Sequence, residues 1–277
     1  MCRLIGAISS SKIDAPDLIH KSAQSLLRQS DFDRRRKQGD GWGVGFFEGG
    51  APRIIKSPRP MYRDRARVRR AGSTAKGKTL IAHVRWASNP LKLARAALIG
   101  PAHTQPFTHR GWIFAHNGTL FIPKEVAAEL GPWEKYIKGK NDSEVLFYWF
   151  LKHLASAKHP AAAIRRSLKG LARIWNGCRK SYPIHRYPYH GLNFVLTNGQ
   201  KLLAFCYTDP SGFGKSKALM DRHECYYQLK RKVTPDGLIV SSEPLDRTSG
   251  WTGFRHGELV IAKRAGNKVF WRAIKVL

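Results

Sequence analysis

The sequence predicts an α+β protein built from two sheets with helices packed on their outer faces. Three observations lead there. Strand-like segments crowd both ends of the chain, helical segments follow one another through its middle, and Asn198-Gly199 joins two apolar runs as a hairpin turn does. The 277 residues, 42% of them hydrophobic, are enough for a sizeable core. No internal repeat or linker composition interrupts them, so a single domain over 1–277 is expected.

Residues 3–9 are rich in β-formers and read as a strand with the chain terminus at its start. Leu18, Ile19, Ala23, Leu26 and Leu27 recur at helical spacing behind Pro16, which predicts one helix over 16–30. Residues 41–47 read as a strand, closed by Gly49-Gly50 and answered by a second strand at 53–57. A basic surface helix over 60–72 is followed by short apolar strands at 79–84 and 112–116. Helices are expected at 122–130, 142–156 and 160–175. Asn141-Asp142-Ser143-Glu144 introduces the second of these with a capping residue and first-turn acids. The final third reads as strands at 191–196, 201–207, 225–231, 237–242, 257–263 and 268–276.

The formal net charge is +30, with clusters at Arg34-Arg35-Arg36-Lys37 and at Arg63, Arg65, Arg67, Arg69 and Arg70. Such a surface attracts polyanions. No zinc-finger, RRM or KH signature accompanies it, so generic electrostatics is expected rather than a dedicated nucleic-acid site. No apolar run approaches the roughly 20 residues needed to span a bilayer, and the N-terminus is too short in apolar residues for a signal peptide. A cytoplasmic protein without membrane attachment is the expectation. The four cysteines, at 2, 178, 206 and 225, form no C-x-x-C pair. His103, His109 and His116 lack the H-E-x-x-H arrangement, and Phe46 stands where G-x-G-x-x-G needs its third glycine. No metal or cofactor is expected; the glycines at 41, 43 and 45 read as places where another backbone comes close.

Four elements carry candidate chemistry. Once Met1 is removed, Cys2 offers a thiol and a free α-amine, with reference pKa values of about 8.5 and about 7.7–8.0. One residue then supplies a nucleophile and its general base. In Ala82-His83-Val84-Arg85-Trp86-Ala87-Ser88, Arg85 ends a buried strand and either meets a carboxylate ligand or closes an internal salt bridge. Asn117-Gly118 is either a turn or a pair of N–H donors aimed at one point, an oxyanion hole. Asp142 is either a helix cap or a carboxylate for a substrate ammonium.

Taken in order, these segments resemble the class II glutamine amidotransferases, an N-terminal-nucleophile family. The similarity is greatest to the stand-alone branch that includes proteins like the γ-glutamyl hydrolase of ergothioneine synthesis. It is carried by Met-Cys-Arg at the start, Asp40-Gly41-Trp42-Gly43-Val44-Gly45, His83-Val84-Arg85-Trp86-Ala87-Ser88, Gln105-Pro106-Phe107 and Phe114-Ala115-His116-Asn117-Gly118-Thr119. Asn141-Asp142-Ser143-Glu144 and Ser241-Ser242-Glu243-Pro244-Leu245 complete it, so it spans nearly the whole chain. The resemblance implies a four-layer αββα sandwich and a catalytic set of Cys2 as nucleophile with Asn117 and Gly118 as the oxyanion hole. It implies Arg85 for a substrate carboxylate, Asp142 for its ammonium, and Trp86 and Ser88 as pocket-shaping residues. Gln105 stands where members carry His or Gln, and 241–245 reads as a structural motif without a catalytic role. The implied reaction cleaves glutamine or a γ-glutamyl amide through a γ-glutamyl thioester, with hydrolysis as its end or ammonia passed to a separate synthase. The competing expectation, drawn from the net charge, is a non-catalytic basic protein on a degenerate hydrolase scaffold, binding nucleic acid or an acidic partner.

Overall fold

Two antiparallel sheets stack face to face, and helices cover the outer face of each. The computed structural model describes residues 2–33, 35–208 and 225–277. Met1, whose removal would free the Cys2 amine, and Arg34 of the first basic cluster lie outside the described residues. The strands are β1 (Arg3–Ser9), β2 (Trp42–Glu48), β3 (Ala51–Ser57), β4 (Thr79–Val84), β5 (Phe107–His109), β6 (Trp112–Leu120) and β7 (Tyr189–Thr197). They continue as β8 (Lys201–Cys206), β9 (Lys230–Thr234), β10 (Gly237–Ser241), β11 (Trp251–Gly253), β12 (Glu258–Ala265) and β13 (Lys268–Lys275). The helices are α1 (Leu26–Asp31), α2 (Arg65–Thr74), α3 (Pro123–Ala128), α4 (Asp142–Ala155) and α5 (Pro160–Cys178).

One sheet has the strand order β11-β9-β10-β1-β4-β2-β3 and the other β13-β12-β8-β7-β6-β5. Three apolar clusters fill the spaces between layers. Ile5, Ala7, Trp42, Val44 and Ala82 pack outward with Leu18, Leu26 and Val68. Phe114, Phe194 and Phe205 pack outward with Leu146, Phe150 and Leu171 of α4 and α5. Leu4, Ile8, Ile81, Ile113, Ala115 and Val195 pack between the sheets. The predicted four-layer αββα sandwich is what these layers form. It explains why β1 is apolar at nearly every position: both of its faces are covered, so the alternation of a half-exposed strand is lost.

Several boundaries move. The helix expected over 16–30 is broken: Asp17–Lys21 makes one wide helical turn, Ser22 turns to ψ 152°, and α1 begins only at Leu26. The Gln24 N–H donates to Leu245 O at 3.1 Å, so a tertiary partner takes the place of a helical one. The strand expected at 225–231 begins at Lys230, because Gln228 N–H closes a turn on Cys225 O at 3.3 Å. Strands β5 and β11, of three residues each, were not foreseen. Strand β6 runs past 116 to Leu120, pairing Asn117 with Asn193 and Gly118 with Leu192 before the register shifts. Gly43 answers its sequence reading: a Cβ there would stand 2.5 Å from Gln105 O, too close for any side chain.

Candidate active site

The β1–β4 ladder sets Arg3 against Val84, and its continuation sets Cys2 against Arg85. On its other side β4 stays paired through Arg85, whose N–H donates to Gly41 O at 2.8 Å and whose O accepts from Asp40 N–H at 3.0 Å, continuing the β2–β4 ladder. Leu4 of β1, Ile81 of β4, and Ile113 and Ala115 of β6 face the space between the sheets. The two-residue period of a strand turns Cys2, Arg85 and Asn117 toward the same space. His83 Nε2 lies 3.2 Å from His116 O and ties β4 to β6 one residue before Asn117.

Cys2 is buried, and the backbone N–H and C=O of one residue, Trp86, both hold its thiol. Trp86 N–H donates to Sγ at 3.3 Å, and Sγ–H donates to Trp86 O at 3.4 Å. Burial pushes the thiol pKa up, while the Trp86 amide and the Arg85 charge draw it down. Arg85 is itself buried and donates from Nη1 to Leu98 O at 2.6 Å. Among the described residues it closes no salt bridge. Burial lowers its pKa against the opposing charges of Cys2, Asp142 and Asp40.

Asp142 is not the cap of α4. Asn141 is, its Oδ1 accepting from Ser143 N–H at 2.9 Å. Asp142 instead turns inward, accepting Ser88 Oγ–H at 2.8 Å and Leu120 N–H at 2.7 Å. Burial raises its pKa, opposed by those two hydrogen bonds and by the Arg85 charge. Trp86 is 37% exposed, so its indole stands at the surface while its peptide group grips the thiol.

Asn117 is buried, and its Oδ1 has no hydrogen-bond partner among the described residues, an arrangement that ordinarily costs about 1–3 kcal/mol. Gly118 sits where β6 bulges, and a Cβ there would fall 1.9 Å from Gly191 O. The backbone of β7 therefore closes over this point, and no larger residue fits. His116 turns to the helix side, with Nδ1 2.9 Å from Ser143 Oγ and Nε2 3.1 Å from Gly191 O. Burial brings the His83 pKa down to about 3 and that of His116 to about 4, so both rings are neutral struts.

Asp40 takes part in ways its motif did not disclose. It is buried, accepts Ala87 N–H on Oδ2 at 2.8 Å and pairs with Arg95. It thereby holds the peptide segment that carries Trp86 and Ser88. Gln105 works as a brace: Oε1 accepts His116 N–H at 2.6 Å and Nε2 donates to His116 O at 3.2 Å. The 241–245 segment is structural, as expected. Ser242 bonds Leu4 through its backbone N–H at 2.9 Å and its Oγ at 3.0 Å, and Glu243 pairs with buried Arg3 at 3.1 Å. Arg3 also stacks over Tyr226 at 3.8 Å and donates to Cys2 O at 3.1 Å. The nucleophile candidate is thus held from the far end of the chain.

The Cys2 thiol, the Arg85 guanidinium and the Asp142 carboxylate are near enough for each charge to act on the others. Among the described residues no group of three or more His, Cys, Asp or Glu is placed to hold a metal ion. The family model for class-II glutamine amidotransferases matches residues 1–274. A Mycobacterium tuberculosis protein named gamma-glutamyl-hercynylcysteine sulfoxide hydrolase is 28% identical over 279 residues, covering 96% of this chain and 94% of the relative. One of the same name from Mycolicibacterium smegmatis is 27% identical and covers 96% of this chain and 97% of its own. A solved glutamine aminotransferase class-II domain protein from Silicibacter pomeroyi superposes with a TM-score of 0.64 at 20% identity, covering 98% of both chains, a likeness of fold.

Proposed function

Because the chain belongs to the class-II glutamine amidotransferases, enzymes acting on an amide bond, we propose that it hydrolyses a γ-glutamyl amide with Cys2 as nucleophile. The observation that carries this is the meeting of the Cys2 thiol, the Arg85 guanidinium and the Ser88-bound Asp142 carboxylate at one end of the β1–β4 ladder. A free amino acid head carries one carboxylate and one ammonium, and Arg85 and Asp142 are the matching pair of charges. Membership in a family of amide-bond enzymes, with relatives named as hydrolases, supports catalysis over the non-catalytic reading drawn from net charge. The hydrolases named above align along nearly their whole length, which favours water as acceptor over delivery of ammonia to a separate synthase.

In the proposed reaction Met1 has been removed, and the Cys2 α-amine takes the thiol proton. The thiolate attacks the γ-carbonyl carbon, and the resulting oxyanion is met by the Asn117 side-chain N–H and the Gly118 backbone N–H. Collapse breaks the C–N bond, and the leaving nitrogen departs as ammonia or an amine with the proton held by the α-ammonium. Water then attacks the γ-glutamyl thioester, releasing glutamate and restoring the thiol. The α-amine again serves as base. Trp86 shapes the mouth of the pocket, and Ser88 orients Asp142. Residues 1–277 act as one amidotransferase domain. The chemistry uses no cofactor and needs a reduced thiol, which suits the cytoplasm.

Glutamate release from glutamine and from a panel of γ-glutamyl amides tests this. The protein should carry a Cys2 terminus verified by intact mass and be compared with Cys2→Ser. Turnover by the first and none by the second is expected. Equal inertness of both toward the whole panel refutes the proposal.

A further inference from the structure

At the opposite end of β6 from Asn117 lies a strip of sheet with different chemistry. Trp112, which begins β6, lines a groove there with Lys158 and Lys201, roughly 17 Å along the strand from Asn117. The groove continues across β8, β12 and the edge strand β13 as a depression of about 350 Å³ bordered by Lys158, Lys201, Lys263, Phe270 and Arg272. Lys263 of β12 stands directly opposite Lys201 of β8 on one side and Phe270 of β13 on the other. The three form one row across three strands. Arg272, paired with Ile261, continues the same face two residues on.

Two features of this row are unfavourable in the protein alone. Like charges directly opposite one another in adjacent strands repel, and no acidic residue lines the groove. None of the ion pairs among the described residues involves Lys158, Lys201, Lys263 or Arg272. Phe270 is 61% exposed, with Lys263 directly opposite, Arg272 two residues on, and Ile261 the apolar side chain beside it in the groove. An anion between the lysines would remove the first cost, and a flat π-system on Phe270 would remove the second.

We propose that this strip binds single-stranded nucleic acid, with phosphates along Lys158, Lys201, Lys263 and Arg272 and a base stacked on Phe270. The charges are fully complementary to a phosphate backbone. An open sheet face with cations flanking an exposed ring suits an unpaired strand, whose bases are free to stack. An acidic peptide would satisfy the lysines and leave Phe270 without a role, and a duplex would keep its bases out of reach. The net charge of +30 supplies the long-range attraction, and the row supplies the docking place.

The test is fluorescence anisotropy of the full chain with a fluorescein-labelled oligothymidylate about 15 nucleotides long, titrated at several salt concentrations. The Lys201→Ala, Lys263→Ala pair should weaken binding at least tenfold and make the log Kd against log salt slope shallower by about 1.4, at about 0.7 per phosphate. Phe270→Ala should weaken it roughly 5- to 150-fold without changing the slope, and Phe270→Tyr should bind as the parent does. The Arg65→Ala, Arg69→Ala pair on α2 removes equal charge elsewhere and should change Kd less than threefold. Melting temperature and amide hydrolysis should be unchanged in every variant. Equal weakening by the α2 pair, parental binding by Phe270→Ala, or equal competition by oligoglutamate or a duplex of the same length would each overturn the proposal.

Discussion

Asp40 offers the sharpest test of how the candidate site is held. Its carboxylate is buried and accepts the Ala87 N–H at 2.8 Å, while its partner Arg95 is 74% exposed. A solvent-screened guanidinium contributes little, so the buried hydrogen bond decides the magnitude. Hydrogen bonds to a charged group are worth about 1.5–3 kcal/mol, and Asp40→Ala also leaves the Ala87 amide without its acceptor. The expected loss of stability lowers Tm by roughly 3–12 °C in a chain of this size. The same segment presents Trp86 to Cys2 and Ser88 to Asp142. If that geometry is lost at the transition state, the same energy lowers kcat/KM roughly 10- to 150-fold. Asp40→Asn keeps an oxygen acceptor and should recover most of both losses, whereas Arg95→Ala should stay within threefold of the parent. Thermal melts and initial rates of glutamate release measure the two quantities. An Asp40→Ala protein with parental Tm and kcat/KM would show that the Ala87 contact positions nothing.

Asn117→Ala should lower kcat about 10²–10³-fold with little change in KM, the signature of a donor used only in the transition state; a rise in KM alone would remove Asn117 from the oxyanion hole. Ser88→Ala removes a hydrogen bond that holds the Asp142 carboxylate ionised, so the already raised Asp142 pKa should rise further. The acid limb of kcat/KM against pH then moves to higher pH, and an unmoved limb would separate Asp142 from substrate binding. His83 and His116 have folded pKa values of about 3 and about 4, below their unfolded value, so the unfolded chain binds more protons as the solution is acidified. Their contribution is complete above pH about 6.5 and falls by up to about 1.4 kcal/mol per histidine per pH unit down to those values. Urea melts across pH 4–7 should show that slope, flattened in His83→Gln, and a flat parental profile would contradict it. Gly118→Ala must displace Gly191 and should reduce both stability and turnover; normal kinetics would mean that the bulge is free to open.

Features set by neighbouring residues were legible in the sequence. The Asn198-Gly199 hairpin, the run of β1 and the capped start of α4 each depend on a few consecutive side chains. Of the residues that the sequence singles out for chemistry, the structure brings Cys2, Arg85, Ser88 and Asp142 into one place. What escaped was fixed at long range. The 16–30 helix breaks because Gln24 finds Leu245, and no local pattern encodes that partner. Asp40 looked like part of a glycine-rich strand entry, since its acceptor role depends on a backbone amide at Ala87. Asn117-Gly118 looked like the end of a strand, yet pairing with β7 carries β6 through it. Strands β5 and β11 are too short for a two-residue period to register.

The clamp on β1 ties the residue next to the candidate nucleophile to a very distant part of the sequence. Leu4 N–H meets Ser242 Oγ across a separation of 238 residues, and Arg3 meets Glu243 beside it. Contacts of such separation bring their reward only after a large loop-closure entropy has been met. Cys2, one residue from Arg3, therefore reaches its final setting only when the sheet that carries β10 has closed on β1. A substitution that loosens the 241–245 segment would be felt at Cys2 although the thiol's own hydrogen bonds run to Trp86.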